Sequence, residues 1–316
     1  MDWTSRLKLR QLEWLISLHE TGSVSRTAAL VGISQPALSK WLKELEEDVG
    51  VPLFERHARG LRLTEQGQPM LYHARRIVGD VARATDEMRE VMHGARGHVR
   101  LGTPPVVSPA IPRAIAVLSR SSPGIVVTVI EDSFDRLLIK LEGGTLDLVI
   151  ARLDDSVALS GVRYETLFEE PVRVVAHPGH PVVGNAAIDW PLLSSFPWIV
   201  SLSGTPMRAI MRNVFARNQL PLPSVTVESM SFLVNLTLLE EMQALMLLSG
   251  GLAETFTQRG LLSMLPISVP GAARSVGVLW RDDESLSAAS MAMRESLRAA
   301  QRSSAAKAAE RARKTG

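Results

Sequence analysis

The sequence predicts an α/β protein in three parts: a helix-rich head with a small β-hairpin, one long helix, and a two-lobed body of alternating strands and helices. Three observations carry this. Apolar residues recur at helical spacing through the first 45 positions, they recur at heptad spacing between Met70 and Val91, and beyond Gly97 strand-like apolar runs alternate with helical ones. The expected parts are residues 1–64 for the head, 65–93 for the long helix and 94–303 for the body, with a basic, disordered tail at 304–316. Within the body, one lobe is expected at about 97–170 plus 270–303 and the other at about 171–269.

A chain of 316 residues exceeds one ordinary core and implies two or three domains. No apolar stretch is long enough to span a bilayer, and Met1-Asp2-Trp3-Thr4-Ser5-Arg6 lacks the apolar region of a signal peptide, so a cytoplasmic location without membrane association is expected. The absence of cysteine excludes disulfides, thiolate catalysis and cysteine-ligated zinc. With a net charge of only +2, affinity for nucleic acid would have to come from local clusters, of which Lys40 with Lys43 and Arg56 with Arg59 and Arg62 are two.

The first helix takes its apolar side from Leu9, Leu12, Trp14, Leu15 and Leu18 and ends near Thr21-Gly22. Ser23 reads as the cap of a short helix that Gly32 breaks, and Ser34 as the cap of a third, with Pro36 in its first turn where a missing N–H costs nothing. Ala28 is small where these helices would cross, and Ile33, Leu38, Leu42 and Leu45 form the inner face. The outward face is left with Gln35, Ser39, Lys40 and Lys43, groups able to read base edges and phosphates, while the Pro36 ring can meet a thymine methyl. That is the pattern of a helix-turn-helix whose recognition helix begins at Ser34; a helical hairpin packed in a core is the bland alternative. Glu44 to Asp48 turns acidic, which keeps the far end of that helix off phosphates, and Gly50 ends it.

From Val51 to Thr64, two short extended runs around a basic turn read as a β-hairpin wing with Arg56 and Arg59 at its tip. Thr64-Glu65-Gln66-Gly67 then opens the long helix, Thr64 as cap and Glu65 in the first turn. Met70, Ala74, Ile77, Val81, Ala84, Met88 and Val91 make a heptad seam, with Arg75, Arg76, Asp80, Arg83, Asp86, Glu87, Arg89 and Glu90 expected in solvent. Such a rod has no core of its own. Pairing with a second copy buries the seam, packing on the same chain's body is the alternative, and the 3.5-residue repeat favours the pairing.

Gly94 to Gly97 marks the boundary to the body. Its first lobe is expected to use strands at His98–Thr103, Ile125–Ile130 and Leu148–Ala151, with helices through Ile111, Ile115 and Leu118 and through Phe134 to Leu141, stopped by Gly143-Gly144. The run Glu169 to His177 leads into the second lobe, with strands at Trp198–Val200, Val225–Val227 and Ala244–Leu248 and helices after Gly204, Ser229 and Gly251. A strand at Ser275–Trp280 and a helix from Ser285 to about Ala300 return to the first lobe, so mostly parallel sheets form two lobes joined by two crossings.

The element order, Ala28, Ser34-Gln35-Pro36-Ala37-Leu38-Ser39, Leu45-Glu46, Gly50 to Arg56 and Leu63-Thr64-Glu65-Gln66-Gly67 resemble the LysR-type transcriptional regulators. The resemblance is dense over the first seventy or so residues and looser beyond, where it rests on Glu131, Gly143-Gly144-x-Leu146-Asp147-Leu148 and the segment His177-Pro178 to His180-Pro181. It implies a winged helix-turn-helix on double-stranded promoter DNA, a dimerising linker helix and a periplasmic-binding-protein-like effector domain of two Rossmann-like subdomains. It also implies a homotetramer answering a small molecule, with RNA polymerase as a partner if the protein is an activator. By the resemblance, Gln35, Pro36, Ser39 and Lys40 contact bases and groove, with Ser34 and Arg56 on phosphates or the wing. Val24, Thr27 and Trp41 depart from the family pattern.

Ligands of two-lobed α/β domains sit beyond the carboxyl ends of strands, where helix N-termini aim N–H groups inward. Here those ends are Thr103-Pro104-Pro105, Arg152 and Ser201-Leu202-Ser203-Gly204-Thr205, with Ser229, Ser231 and Ser249-Gly250 further along. Hydroxyls, free N–H groups and the Arg152 guanidinium suit a small anionic effector; the alternative is that these residues are caps and turns only.

An enzyme is not indicated: no His-Glu-x-x-His, Walker loop, nucleophile elbow or Gly-x-Gly-x-x-Gly is present, and no cofactor is expected. His177 and His180, among Pro178, Gly179 and Pro181, are expected in a solvent-exposed turn rather than a metal site. A two-lobed solute-binding protein shares the body but leaves the first ninety residues unexplained.

Overall fold

In the computed structural model, residue 4 and residues 6–58, 60–93, 97–105, 108–153, 161–223, 225–282 and 286–315 are described. The head begins with α1 (Leu9–Thr21), α2 (Val24–Val31) and α3 (Gln35–Val49). The Ser23 hydroxyl accepts the Arg26 N–H and the Ser34 hydroxyl accepts the Ala37 N–H, capping α2 and α3. Gly22, Gly32 and Gly50 end the three helices at φ of 60°, 70° and 84°, a backbone region that favours glycine. The wing, β1 (Phe54–His57) and β2 (Gly60–Leu63), is pinned to the α1–α2 turn by the Leu61 N–H on the Gly22 carbonyl (2.8 Å). Leu15, Leu18, Leu38, Leu53 and Ala74 meet in one buried head core.

The long helix α4 (Gly67–His93) has 27 residues and is therefore about 40 Å long. It starts two residues later than Glu65, because Thr64 belongs to the hairpin: its hydroxyl donates to the Pro52 carbonyl (2.7 Å) and accepts the Gly67 N–H (3.0 Å), leaving 65–66 as a turn. The expected heptad seam divides. Ala74 is buried in the head core and Met70 packs against it, whereas Ile77, Val81, Ala84 and Met88 are exposed; the Val91 side chain lies outside the described set.

Nor are all the intervening charges in solvent. Gly79 lies against Gly143-Gly144, the Arg83 guanidinium donates to the Gly144 carbonyl (3.0 Å), and Asp86 takes Arg100 and His98. Arg75 is half-buried between Glu20 of the head and Glu142 of the body, whose charges oppose the loss of its proton while burial favours it. At roughly 100° per residue these positions and the exposed seam lie on opposite sides of α4, so the helix docks on its own body and still bares an apolar stripe.

The first lobe contains β3 (Gly97–Thr103), α5 (Ala110–Ser121), β4 (Ile125–Glu131), α6 (Phe134–Glu142), β5 (Leu148–Arg152) and β6 (Val162–Glu170). The second contains β7 (Val172–Ala176), α7 (Trp190–Ser194), β8 (Trp198–Val200), α8 (Pro206–Arg217), β9 (Val225–Glu228), α9 (Phe232–Glu241), β10 (Leu245–Ser249), α10 (Gly250–Thr257) and β11 (Ser263–Met264). β12 (Arg274–Arg281) and α11 (Ala288–Thr315) return to the first lobe. The sheets run β4-β3-β5-β12-β6 and β11-β7-β10-β8-β9.

Both sheets are mixed, not mostly parallel. β3 is parallel to β4 and β5, but β12 runs antiparallel to β5 and β6; β8 is parallel to β9 and β10, but β7 runs antiparallel to β10 and β11. The antiparallel strands flank the two crossings. Pro171, which cannot donate to a ladder, splits the expected run Glu169–His177 into the end of β6 in one sheet and β7 in the other. Each sheet is covered on both faces, the first by α5 and α11 on one side and α6 on the other, the second by the stacked and edge-on Trp190, Trp198 and Phe215 opposite α9 and α10.

The expected disordered tail is instead the last turns of α11, which continue to Thr315. Alanine-rich, Lys/Arg/Glu-containing sequence has high helix propensity and extends a helix that docking has already nucleated.

Candidate nucleic-acid interface and interlobe cleft

On α3, Gln35, Pro36, Lys40 and Lys43 are exposed, while Leu38, Leu42 and Leu45 are buried. Ser34 is exposed as well, its hydroxyl holding the Ala37 N–H (3.3 Å). Ser39 departs from the expected outward face: it is half-buried and its hydroxyl oxygen is enclosed without a hydrogen-bond partner. The geometric reason is its place only about 60° around the helix from buried Leu42. Lys40 Nζ lies 3.7 Å from Glu44 Oε1 and Lys43 Nζ 3.5 Å from Glu47 Oε1.

Two of the three positions that break the family pattern have local explanations. Trp41 turns away from Lys40 and meets Trp14 of α1 edge-on at 5.2 Å, with Arg10 over the Trp14 ring at 5.5 Å. Thr27 is fully buried, yet its hydroxyl is satisfied by the Thr21 hydroxyl (2.6 Å) and the Ser17 carbonyl (3.3 Å). On the wing, Arg56 is exposed in β1; Arg59 lies outside the described residues. Glu46 supports the wing's approach, one carboxylate oxygen accepting both the Leu53 and Phe54 N–H groups at 2.7 and 2.9 Å.

In the body, Thr103 and Arg152 stand at the carboxyl ends of adjacent parallel strands, as do Ser201 and Ser229 in the other lobe. Thr103 is buried, its hydroxyl donating to the Pro104 carbonyl (3.1 Å); Pro104 and Pro105 are half-buried. Ser201 is half-buried, Ser203 and Gly204 are exposed, and Gly204 has φ of 83°. Thr205 and Ser231 cap α8 and α9 through the Arg208 and Val234 N–H groups, so both hydroxyls already accept one bond.

The N-terminus of α10 is not open to a ligand as expected for Ser249-Gly250. The Gly250 N–H donates to the Pro171 carbonyl (2.8 Å) and the Gly251 N–H to Glu170 Oε1 (2.6 Å). Glu170 is buried at the crossing; burial pushes its carboxyl above the ordinary range, against the Gly251 bond and the charge of Arg152. Arg152 donates to the Glu170 carbonyl (3.4 Å) through Nη1, while its Nη2 is buried without a hydrogen bond.

A second such group, not anticipated from the sequence, is Arg208 in the first turn of α8. Its Nη2 meets Glu228 (3.1 Å) and its Nη1 is buried without a hydrogen bond. The cap Thr205 three residues earlier was the available signal, since a cation one turn past a strand-end cap stays near the strand ends. His180 also differs from expectation: it is 3% exposed, its Nδ1 accepting the Val182 N–H and its Nε2 facing the Gln243 carbonyl. Among the described residues no group of three or more metal-ligating side chains is found.

Residues 93–302 match the family model for the LysR substrate binding domain, and residues 9–68 match the bacterial regulatory helix-turn-helix protein model of the lysR family. This chain belongs to the LysR family of transcriptional regulators. Among its relatives are the HTH-type transcriptional regulator GbpR of Azospirillum brasilense, 32% identical over 94% of this chain and 87% of that protein, and PcaQ of Agrobacterium fabrum, 29% identical over 88% and 90%. Among solved structures, a full-length OxyR variant from Pseudomonas aeruginosa is similar with a TM-score of 0.62 at 25% identity, over 92% of this chain and 95% of that one. Full-length CbnR complexed with its target DNA shares the fold, with a TM-score of 0.62 at 20% identity over 93% and 100%.

Membership fixes what the two ends of this LysR regulator are for: the helix-turn-helix carries DNA binding and the two-lobed body is a substrate-binding domain. A free-standing solute-binding protein is thereby set aside. Among the described residues, no helix is long and apolar enough to cross a membrane.

Proposed function

We propose that this LysR regulator, a cytoplasmic non-enzyme, holds promoter DNA with Gln35, Pro36, Lys40 and Lys43 in the major groove, Ser34 at its edge, and Arg56 and Arg59 of the wing on the backbone. Ser39 joins them if its hydroxyl rotates outward. Two copies pair through the exposed Ile77–Val81–Ala84–Met88 stripe of α4, two dimers make the tetramer, and RNA polymerase is a partner where the regulator activates.

We further propose that the body answers a small anionic effector between the lobes, near Thr103, Pro104, Pro105, Arg152, Ser201, Ser203, Gly204, Thr205 and Ser231. One observation carries this: Arg152 at the end of a strand in the first lobe and Arg208 beyond a strand end in the second each hold a buried guanidinium nitrogen with no hydrogen-bond acceptor. A buried cation N–H left unmade is expensive, and an anionic ligand is the group that would satisfy it. The test is thermal denaturation of the full-length protein against a panel of small carboxylates and neutral analogues. Stabilisation by a carboxylate that Arg152→Gln or Arg208→Gln abolishes supports the reading; stabilisation by neutral analogues alone removes it.

A further inference from the structure

The last two turns of α3 carry Glu44, Glu46, Glu47 and Asp48 with no basic residue in the final turn. Acids there run against the helix dipole, which favours cations at a C-terminus, so something other than helix stability accounts for them. Two have structural partners: Glu46 accepts the Leu53 and Phe54 N–H groups, and Asp48 pairs with Arg6 at 3.5 Å. For Glu44 and Glu47 the ion partners are Lys40 and Lys43, at 3.7 and 3.5 Å. Both pairs have lysine first and glutamate four residues on, the weaker orientation for a helix. All four side chains are 59–78% exposed, where such a pair stabilises little.

Their position is the telling feature. At roughly 100° per residue, Lys40, Lys43, Glu44 and Glu47 fall with Pro36 in one arc of about 100°, opposite Leu38, Leu42 and Leu45. The acids are therefore on the same outward arc as the lysines and not on the back of the helix.

We infer that Glu44 and Glu47 determine how sharply the regulator distinguishes its operator from other DNA, by competing with phosphates for Lys40 and Lys43. This rests on the reading of α3 as the helix that enters the groove. On DNA that offers no matching bases, each lysine must leave its glutamate for a phosphate and bring a carboxylate near the backbone, which lowers the counterion-driven affinity common to all sequences. On a matching site, base contacts from Gln35 and Pro36 seat α3 so that Lys40 and Lys43 face base edges as well as phosphates, and a smaller share of the affinity there runs through the lysine–phosphate contacts that the glutamates oppose. The glutamates thus weaken binding everywhere and weaken it most where base contacts are missing.

The experiment uses the full-length protein, wild type and Glu44→Gln/Glu47→Gln, titrated by fluorescence anisotropy into two duplexes: one selected by the wild type from random sequence, the other its scramble. The double variant should bind the scramble about tenfold tighter and the selected duplex no more than about threefold tighter, with the salt slope on the scramble steeper by about one to two. An equal gain on both duplexes, or no change on either, overturns the inference. So does loss of affinity for the selected duplex, which would make a glutamate a cytosine reader instead. The underlying reading fails separately: the wild type would then select no sequence, or Lys40→Ala would leave binding to both duplexes unchanged.

Discussion

Gly79 in the middle of α4 packs against Gly144, so closely that a Cβ at position 79 would stand 2.8 Å from the Gly144 carbonyl carbon and 2.9 Å from its oxygen, and closer still to the Gly143 oxygen. The opposing atoms are backbone and cannot swing aside. Helix propensity alone would make Gly79→Ala stabilising by about 1 kcal/mol, whereas overpacking costs about 1–3 kcal/mol. The steric effect should win: Gly79→Ala is predicted to lower the thermal midpoint of the full-length protein and to uncouple effector addition from DNA binding. A raised midpoint would mean that α4 is not seated on the body in solution.

Glu46 links the recognition helix to the wing through two N–H groups, those of buried Leu53 and Phe54. Glu46→Ala strands both donors and is predicted to cost about 2 kcal/mol or more, measured by urea denaturation. Glu44→Ala, on the exposed arc of the same helix, should change stability by less than about 0.5 kcal/mol.

His180 gives the second lobe a pH dependence. Burial holds its imidazole below the ordinary value, the neighbouring His177 adds to this, and the Gln243 carbonyl opposes it. The unfolded chain, titrating near the usual value of about 6.5, then binds the proton more readily than the folded one, so stability rises with pH across that window. The contribution is complete above about pH 6.5 and is lost as pH falls from there through the folded value. Wild-type protein should therefore show a falling thermal midpoint from about pH 7 to about 5.5, and His180→Gln a flatter profile over the same interval.

The bare stripe on α4 predicts an assembly. Ile77 and Val81 are 46% and 41% exposed, and Met88 59%, on the side of the helix opposite the docked Gly79. Val81→Asp places a charge in the middle of any helix–helix contact there and should shift sedimentation equilibrium from dimer or tetramer towards monomer, with DNA affinity falling about a hundredfold as bivalency is lost. Unchanged mass would leave the stripe without the proposed partner.

The head was legible in detail because its signals are local: Ser23 and Ser34 cap, Gly22, Gly32 and Gly50 stop, and Leu38, Leu42 and Leu45 set one face. The body was legible as alternating elements, but β6 was not, since its buried positions are separated by charged residues such as Arg163 and Glu165 and its partner β12 is more than a hundred residues away. The long helix shows the limit most clearly. A heptad pattern identified an apolar stripe, yet only tertiary structure reveals that Arg75, Gly79 and Arg83 form a second contact face, because glycine and arginine carry no periodic hydrophobic signal. Residue type singled out Arg152, which stands at the end of β5, but the filling of the α10 N-terminus by Glu170 depends on a bond spanning 81 positions.

If the exposed arc of α3 reads a major groove in duplicate, hydroxyl-radical footprinting of the full-length protein on a duplex it has selected shows it most directly. Paired protections on one face of the DNA, separated by one helical turn of about 10 base pairs or a multiple of it and lost in Lys40→Ala, are predicted. A single unpaired protection, or a footprint that Lys40→Ala leaves intact, would contradict it.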